Sequence, residues 1–306
     1  MTPATPRRGR FAPSPTGPLH FGSLVAAVAS YLDARASGGE WLVRIEDVDQ
    51  LRAIAGAADD ILRTLEAFGF DWDGGIAHQS RRSALYEDAL DALRRLGVAY
   101  DCACSRKDVA SAGHIGADGP VYAGTCRRGI PLGATPRAVR VRTHDAPITV
   151  VDGIYGTQSQ RLESAVGDFV VRRADGYFAY QLAVVVDDTD QGITRVVRGA
   201  DLLSSTPRQV YLQCLLGLPT PAYAHVPVVL DADGRKLSKR DLAHPVDRRD
   251  PLPALLAAWR FLGQAQEADQ PASPAEFWAF AIARWDIGRV AARPPPPGPT
   301  GGGAET

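Results

Sequence analysis

Lysine is scarce in this chain, and its placing is uneven. Of 34 Lys+Arg residues only three are lysine: Lys107, Lys236 and Lys239. Two of these fall in Lys236-Leu237-Ser238-Lys239-Arg240, just after the turn-forming run Asp231-Ala232-Asp233-Gly234. Lysine is a compact ammonium on a flexible stem, whereas arginine is a planar fork, so an arginine-rich chain that keeps paired lysines has a use for the former. Two lysines and Ser238 on a loop can close over a polyphosphate and neutralise charge as part of it leaves. The plainer alternative is a solvated basic loop.

A second segment, Pro18-Leu19-His20-Phe21-Gly22-Ser23, joins a Pro/Gly loop to an apolar helical run. Helix N-termini bind phosphate because their free N–H groups and the helix dipole point at it. Gly22 lets a ligand ring lie flat against the backbone, and His20 can donate to phosphate oxygens. By itself His-x-Gly is equally a capped helix with an incidental histidine. A third group is Cys102-x-Cys104, followed after a Gly-rich stretch by Tyr122-x3-Cys126. Three thiolates could hold zinc, which takes four N, S or O ligands in a tetrahedron. The fourth place is open, with His114 the more usual chemistry, and three reduced, unliganded cysteines are the alternative. Cys214, in an apolar helical run, reads as a buried core thiol.

These groups need a scaffold. The 306 residues are 45% hydrophobic and 23% charged, enough for a sizeable core. A formal net charge of −1 is unlike a protein that coats RNA, although an enzyme docking one RNA region needs only a local patch. No apolar run approaches the ~20 residues that span a bilayer. Residues 1–10 lead into no apolar signal region, so a cytoplasmic location is expected, where four cysteines are poor evidence for disulfides.

Residues 8–13 read as a strand, residues 23–32 as a helix ending near Gly38-Gly39, and Trp41, Val43 and Ile45 as the next strand. Together they predict a right-handed βαβ unit of a nucleotide-binding α/β fold. Residues 59–68 and 86–96 read as amphipathic helices. Residues 102–136 are an irregular inserted module that a metal would staple. Strands are expected at about 138–143, 148–152, 166–172 and 177–187, an apolar run at 193–197, and helices at 204–216, 253–261 and 275–285. Residues 293–306 are low-complexity and expected to be disordered.

The string Arg10-Phe11-Ala12-Pro13-Ser14-Pro15-Thr16-Gly17-Pro18-Leu19-His20-Phe21-Gly22-Ser23 closely resembles the first signature of glutamyl- and glutaminyl-tRNA synthetases. His20 and Gly22 match the first His and the Gly of the family's His-Ile-Gly-His motif, with Ser23 in place of the second His. Lys236–Arg240 resembles the class I Lys-Met-Ser-Lys-Ser signature. The resemblance implies that His20, Gly22, Lys236, Ser238 and Lys239 bind ATP, which Mg²⁺ accompanies. His20 and Lys239 would be catalytic, stabilising phosphate charge while the glutamate α-carboxylate attacks the α-phosphorus and pyrophosphate leaves.

For L-glutamate it implies Arg10, Phe11, Ala12, Pro13 and Ser14 along the substrate, Glu46 on the α-ammonium, Tyr180 as a hydrogen-bond partner and Arg198 on the side-chain carboxylate. Read without the family, Glu46 is a strand-end surface acid and Tyr180 a core aromatic. One departure stands out: the family tends to carry Asn four residues after the pocket Tyr, and here that position is Val184.

The cysteine pattern is similar to the zinc module of the glutamyl-Q tRNA(Asp) synthetases, in which a Tyr fills the fourth place. That implies a structural Zn²⁺ on Cys102, Cys104, Tyr122 and Cys126, with His114 as the alternative. A standard glutamyl-tRNA synthetase continues past the second signature into a large anticodon-binding region, whereas 65 residues follow Asp241 here. Resemblance to the glutamate-type catalytic domain runs over about residues 8 to 249, and the short form, the Cys/Tyr cluster and Val184 together resemble the glutamyl-Q family.

The resemblance implies activation of glutamate without tRNA, then transfer to queuosine at the wobble position of tRNA(Asp), with the anticodon stem-loop docked on the catalytic domain of a monomer. The expected fold is α/β: a Rossmann-like catalytic domain in two halves (8–101 and 137–249), a zinc-binding insert (102–136), a short helical C-terminal region (250–292) and a tail (293–306). Three rivals stay open. They are an enzyme charging a tRNA acceptor end, a small-molecule adenylyltransferase and a non-catalytic tRNA-binding paralogue.

Overall fold

Proline sets the length of the first strand. Arg8–Phe11 runs in parallel beside Glu40–Ile45, with Arg10 opposite Leu42. Beyond Phe11 the chain turns away, and the Pro13 carbonyl keeps a link to the neighbouring strand by taking the Glu46 N–H at 2.9 Å. Helix Phe21–Arg35 makes the crossover, its residues Leu24–Ala34 mostly buried because sheet and further helices cover it on several sides. This is the βαβ unit that the sequence predicts. The computed structural model describes residues 7–116, 119–230, 245–266 and 271–293.

Ala77–His78 extends the layer in parallel on the far side of Glu40–Ile45. On the near side the Thr194 N–H donates to the Arg8 carbonyl (3.0 Å) and the Arg8 N–H to Thr194 Oγ1 (2.9 Å). Those bonds bring up strand Arg195–Gly199, which pairs in parallel with Ala222–Val226. Pro147–Asp152 touches the latter and folds back antiparallel on Gly156–Arg161. The chain thus leaves Arg8–Phe11 in one direction and Arg195–Gly199 in the other. Open α/β sheets bind ligands in the crevice at such a reversal, outside the carboxyl ends of the strands.

Two sequence expectations need correcting, and two strands carry no expectation at all. Residues 177–187 were expected as a strand, but Tyr180–Asp190 is an α-helix. Leu182–Val185 are all buried, so the helix shows no polar face, and its Val-rich run mimics a strand. Strand Gly156–Arg161 is a polar hairpin edge without apolar alternation. Strand Ala222–Val226 follows the short Leu218-Pro219-Thr220-Pro221 connection and has no turn signal of its own. Cys214 is exposed on helix Thr206–Leu216, whose buried face ends at Gln213.

The two C-terminal helices, Leu252–Phe261 and Pro274–Arg284, pack on the first core and do not stand apart from it. Trp278 meets Tyr31 and Phe70 with ring centroids 4.6 and 4.8 Å away and donates its indole N–H to Phe68 O (2.9 Å). A second core lies between helices Ser83–Arg95, Tyr180–Asp190 and Thr206–Leu216 and the antiparallel sheet Phe169–Arg172, Ala138–Val141, Ala99–Cys102. Among the described residues no helix is long and apolar enough to cross a membrane.

Candidate active site

A cavity of about 410 Å³ opens at the carboxyl ends of the parallel strands. Arg10, Phe11, Ala12, Pro13 and Ser14 line it from the end of the first strand, and Glu46 from the end of its neighbour. His20 and Gly22 enter from the helix N-terminus, Tyr180 from the start of its helix and Arg198 from the near strand. Predicted positions spread over almost 190 residues therefore meet in one space. Lys236, Ser238 and Lys239 lie outside the described residues. The flanks of their segment are described: Val229 lines the cavity, and Pro245 bridges to His20 while the Val246 N–H donates to Leu19 O (3.0 Å).

His20 caps its own helix. Its Nδ1 accepts the Ser23 N–H (3.4 Å), and Nε2 lies 3.1 Å from Ser23 Oγ. A side chain at Gly22 would crowd that ring, since a Cβ there would fall 3.2 Å from His20 Cε1. Ser23, where the family motif has its second histidine, thus holds the first one in place.

Behind Arg10 and Glu46 the charged wall is backed by Arg44, Asp187 and Asp188, which carry no motif in the sequence. Asp188 accepts from Arg10 Nε (3.1 Å), Arg10 Nη2 (3.4 Å) and Arg44 Nη2 (2.7 Å). Its neighbour Asp187 accepts from Gln79, Arg82 and the Tyr86 hydroxyl at 2.6–2.9 Å. Burial opposes ionisation of Asp188, but the two guanidiniums outweigh it and hold the carboxyl below its ordinary value. Glu46 lies 3.6 Å from Arg44 Nη2. Burial raises its carboxyl to about 7 against the pull of Arg44 and Arg10, and the charges of Asp188 and Asp187 push the same way as burial. The only sequence clue to Asp187 and Asp188 was two acids closing an apolar run.

Arg198 is 5% exposed, and every hydrogen-bond partner of its guanidinium among the described residues is neutral. Nη2 donates to Thr206 Oγ1 (2.9 Å), Gln209 Oε1 (2.8 Å) and Leu202 O (3.4 Å), Nη1 to Tyr180 Oη (3.2 Å) and Nε to His225 Nε2 (3.0 Å). A buried cation hydrogen-bonded only to neutral groups can take an anionic ligand, and a ligand carboxylate would supply one. Val184, one turn after Tyr180, is buried in the second core and adds no polar group to the cavity.

Away from this cavity, Cys102, Cys104 and Cys126 place their sulfurs within 4.8 Å of one another. The Tyr122 hydroxyl lies 3.4 Å from Cys102 Sγ and 3.8 Å from Cys104 Sγ, and Cys104 Sγ lies 3.7 Å from Cys126 Sγ. Metal–sulfur bonds of about 2.3 Å in a tetrahedron separate sulfurs by roughly 3.8 Å, so this donor set fits a zinc-sized ion. His114 is elsewhere, with Nε2 3.1 Å from Ser164 O.

The family model for class I tRNA synthetases (E and Q), catalytic domain, matches residues 7–270. A Dechloromonas aromatica protein named glutamyl-Q tRNA(Asp) synthetase is 56% identical over 289 residues, 94% of this chain and 96% of its own length. The chain belongs to the glutamyl-Q tRNA(Asp) synthetase family. A glutamyl-Q tRNA(Asp) synthetase of Geobacter sulfurreducens is also 56% identical, covering 94% of this chain and 93% of its own. One from Neisseria meningitidis serogroup C is 54% identical over 92% of this chain and 96% of its own. Among solved structures, a glutamate tRNA ligase from Elizabethkingia meningosepticum, determined in complex with its amino acid, superposes with a TM-score of 0.79 at 26% identity. That match covers 94% of this chain and 66% of the longer ligase. The glutamyl-Q synthetases are aminoacyl-tRNA ligases, and their α/β catalytic fold is the one described above.

Proposed function

We propose that this enzyme activates L-glutamate with ATP, in the absence of tRNA, to glutamyl-adenylate. It then transfers glutamate to the queuosine at the wobble position of tRNA(Asp). The observation that carries the first step is the pairing of Glu46 and Arg198 in one cavity, with His20 at the helix N-terminus between the strands. Glutamate offers an ammonium for the Glu46 carboxylate and a γ-carboxylate for Arg198. Its α-carboxylate would attack the α-phosphorus of Mg²⁺-bound ATP, with pyrophosphate leaving in line. His20 would stabilise the phosphate charge, and Lys236, Ser238 and Lys239 would join it from the segment whose flanks meet the cavity. The names of the relatives support queuosine of tRNA(Asp) as the acceptor.

In the same reading Cys102, Cys104, Cys126 and Tyr122 hold a structural Zn²⁺, and the enzyme acts as a cytoplasmic monomer that docks the anticodon stem-loop. Glutamate-dependent pyrophosphate exchange without tRNA tests the first step, and its absence refutes it. Charging of queuosine-containing against unmodified tRNA(Asp) tests the second. Equal charging of both would favour the rival reading, an enzyme for the acceptor end.

A further inference from the structure

We propose that Asp152 and His225, which lie behind the cavity wall, position Arg198 and so set the preference of the site for a γ-carboxylate over a γ-carboxamide. The inference rests on the reading of Arg198 as the carboxylate partner. Both residues are nearly inaccessible, at 3% and 0% exposure, and neither lines the cavity, so they act through Arg198.

The chain of donors has one consistent proton arrangement. Arg198 Nε–H needs an acceptor, and among the described residues that acceptor is His225 Nε2 at 3.0 Å. Nε2 therefore carries no proton. The proton sits on Nδ1, which donates to Asp152 Oδ2 at 2.6 Å. The other carboxylate oxygen is occupied, because Asp152 Oδ1 accepts the backbone N–H groups of Ile154 (3.0 Å), Tyr155 (2.9 Å) and His225 (3.3 Å). Burial holds the imidazole neutral, with a pKa of about 4, despite the carboxylate beside it.

With Nε held by His225 and Nη2 by Thr206, Gln209 and Leu202, the hydrogen left without an acceptor among the described residues is on Nη1. Tyr180 Oη accepts the other Nη1 hydrogen and keeps its own proton to donate. Two donors thus converge where a carboxylate would sit, and their direction depends on Nε being anchored.

Asp152→Asn tests this directly. The three backbone N–H groups hold the amide oxygen at the Oδ1 place, so the NH₂ group faces His225 Nδ1. To accept from it the ring must carry its proton on Nε2, which then confronts Arg198 Nε–H donor to donor. His225→Gln can place Oε1 at the Nε2 position and restore the acceptor. His225→Met fills similar space without one.

Calorimetric binding of glutamate, glutamine and ATP to the full chain, with wild type as control, reads the result. Asp152→Asn and His225→Met should weaken glutamate about 10- to 100-fold, the scale of a lost charged hydrogen bond. ATP and glutamine affinities should hold within about 2-fold, and His225→Gln should recover most of the glutamate affinity. An unchanged glutamate affinity in Asp152→Asn overturns the inference, as does an equal loss for glutamate and ATP. Should Asp152→Asn not fold, equal behaviour of the Gln and Met variants overturns it. A wild type that binds no glutamate removes the underlying reading of Arg198 instead.

Discussion

Acidification should weaken glutamate binding through Glu46 before it harms the fold. The carboxyl is largely buried and raised to about 7, whereas the proposed contact with the substrate ammonium needs it ionised. With a pKa near 7, roughly nine-tenths is ionised at pH 8 and roughly one-tenth at pH 6. Apparent affinity scales with that competent fraction, so the glutamate KM should rise about tenfold from pH 8 to pH 6. The KM for ATP should stay flat over the same range. Glu46→Gln removes the titration and a charge-assisted hydrogen bond worth about 1.5–3 kcal/mol, so its KM should be high and independent of pH.

Stability should move the other way. The folded state keeps this proton between about 4.5 and 7 while the unfolded chain has lost it, so the term stabilises at low pH and is lost as pH rises through that window. At pH 8 the ionised carboxyl costs on the order of 3 kcal/mol, which Glu46→Gln should return as a higher melting temperature. Pyrophosphate exchange with glutamate varied at saturating ATP gives the kinetic profile, and thermal melts give the other. A glutamate KM that is the same at pH 6 and pH 8 in wild type would refute the reasoning.

Other perturbations have equally definite outcomes. Asp188→Asn strips Arg10 and Arg44 of a shared buried partner and should cost about 3–5 kcal/mol in urea unfolding, with a raised glutamate KM in whatever folds. Cys126→Ser should lower bound zinc, measured by elemental analysis, and lower the melting temperature, while wild-type zinc content in the variant would refute the ligand set. Trp278→Ala removes a nearly buried indole that joins the C-terminal helix to Tyr31 and Phe70 and should cost about 3–5 kcal/mol, read by denaturant titration.

The lining of the cavity was more legible in the sequence than its support. Arg10, His20, Glu46, Tyr180 and Arg198 stood out because motifs carry them, and all five line one cavity. The residues that hold them did not, since their partners are distant in sequence. Asp188 lies 178 positions from Arg10 and 144 from Arg44. Asp152 lies 73 from His225. Local pattern reading cannot see such pairs. Helix Tyr180–Asp190 was misread for a related reason: buried on several sides, it has no amphipathic stripe, and its three consecutive valines carry strand propensity. The choice between Tyr122 and His114 as neighbour of the three thiols likewise depended on how the insert folds back, which spacing alone left open.

The balance of charge in the cavity supports the proposal that Arg198, rather than Arg10, meets the γ-carboxylate. Arg10 and Arg44 already face Asp188, and Arg44 faces Asp187 and Glu46 as well. Their charge is largely spent inside the protein. Arg198 is surrounded by a tyrosine, a threonine, a glutamine, a carbonyl and a neutral histidine. In the proposed reading, glutamine in the site would leave that cation without an anionic hydrogen-bond partner, whereas a γ-carboxylate would supply one. With only neutral hydrogen-bond partners among the described residues, Arg198 would keep its charge for a ligand, which under the proposed reading favours the substrate group that carries a second negative charge.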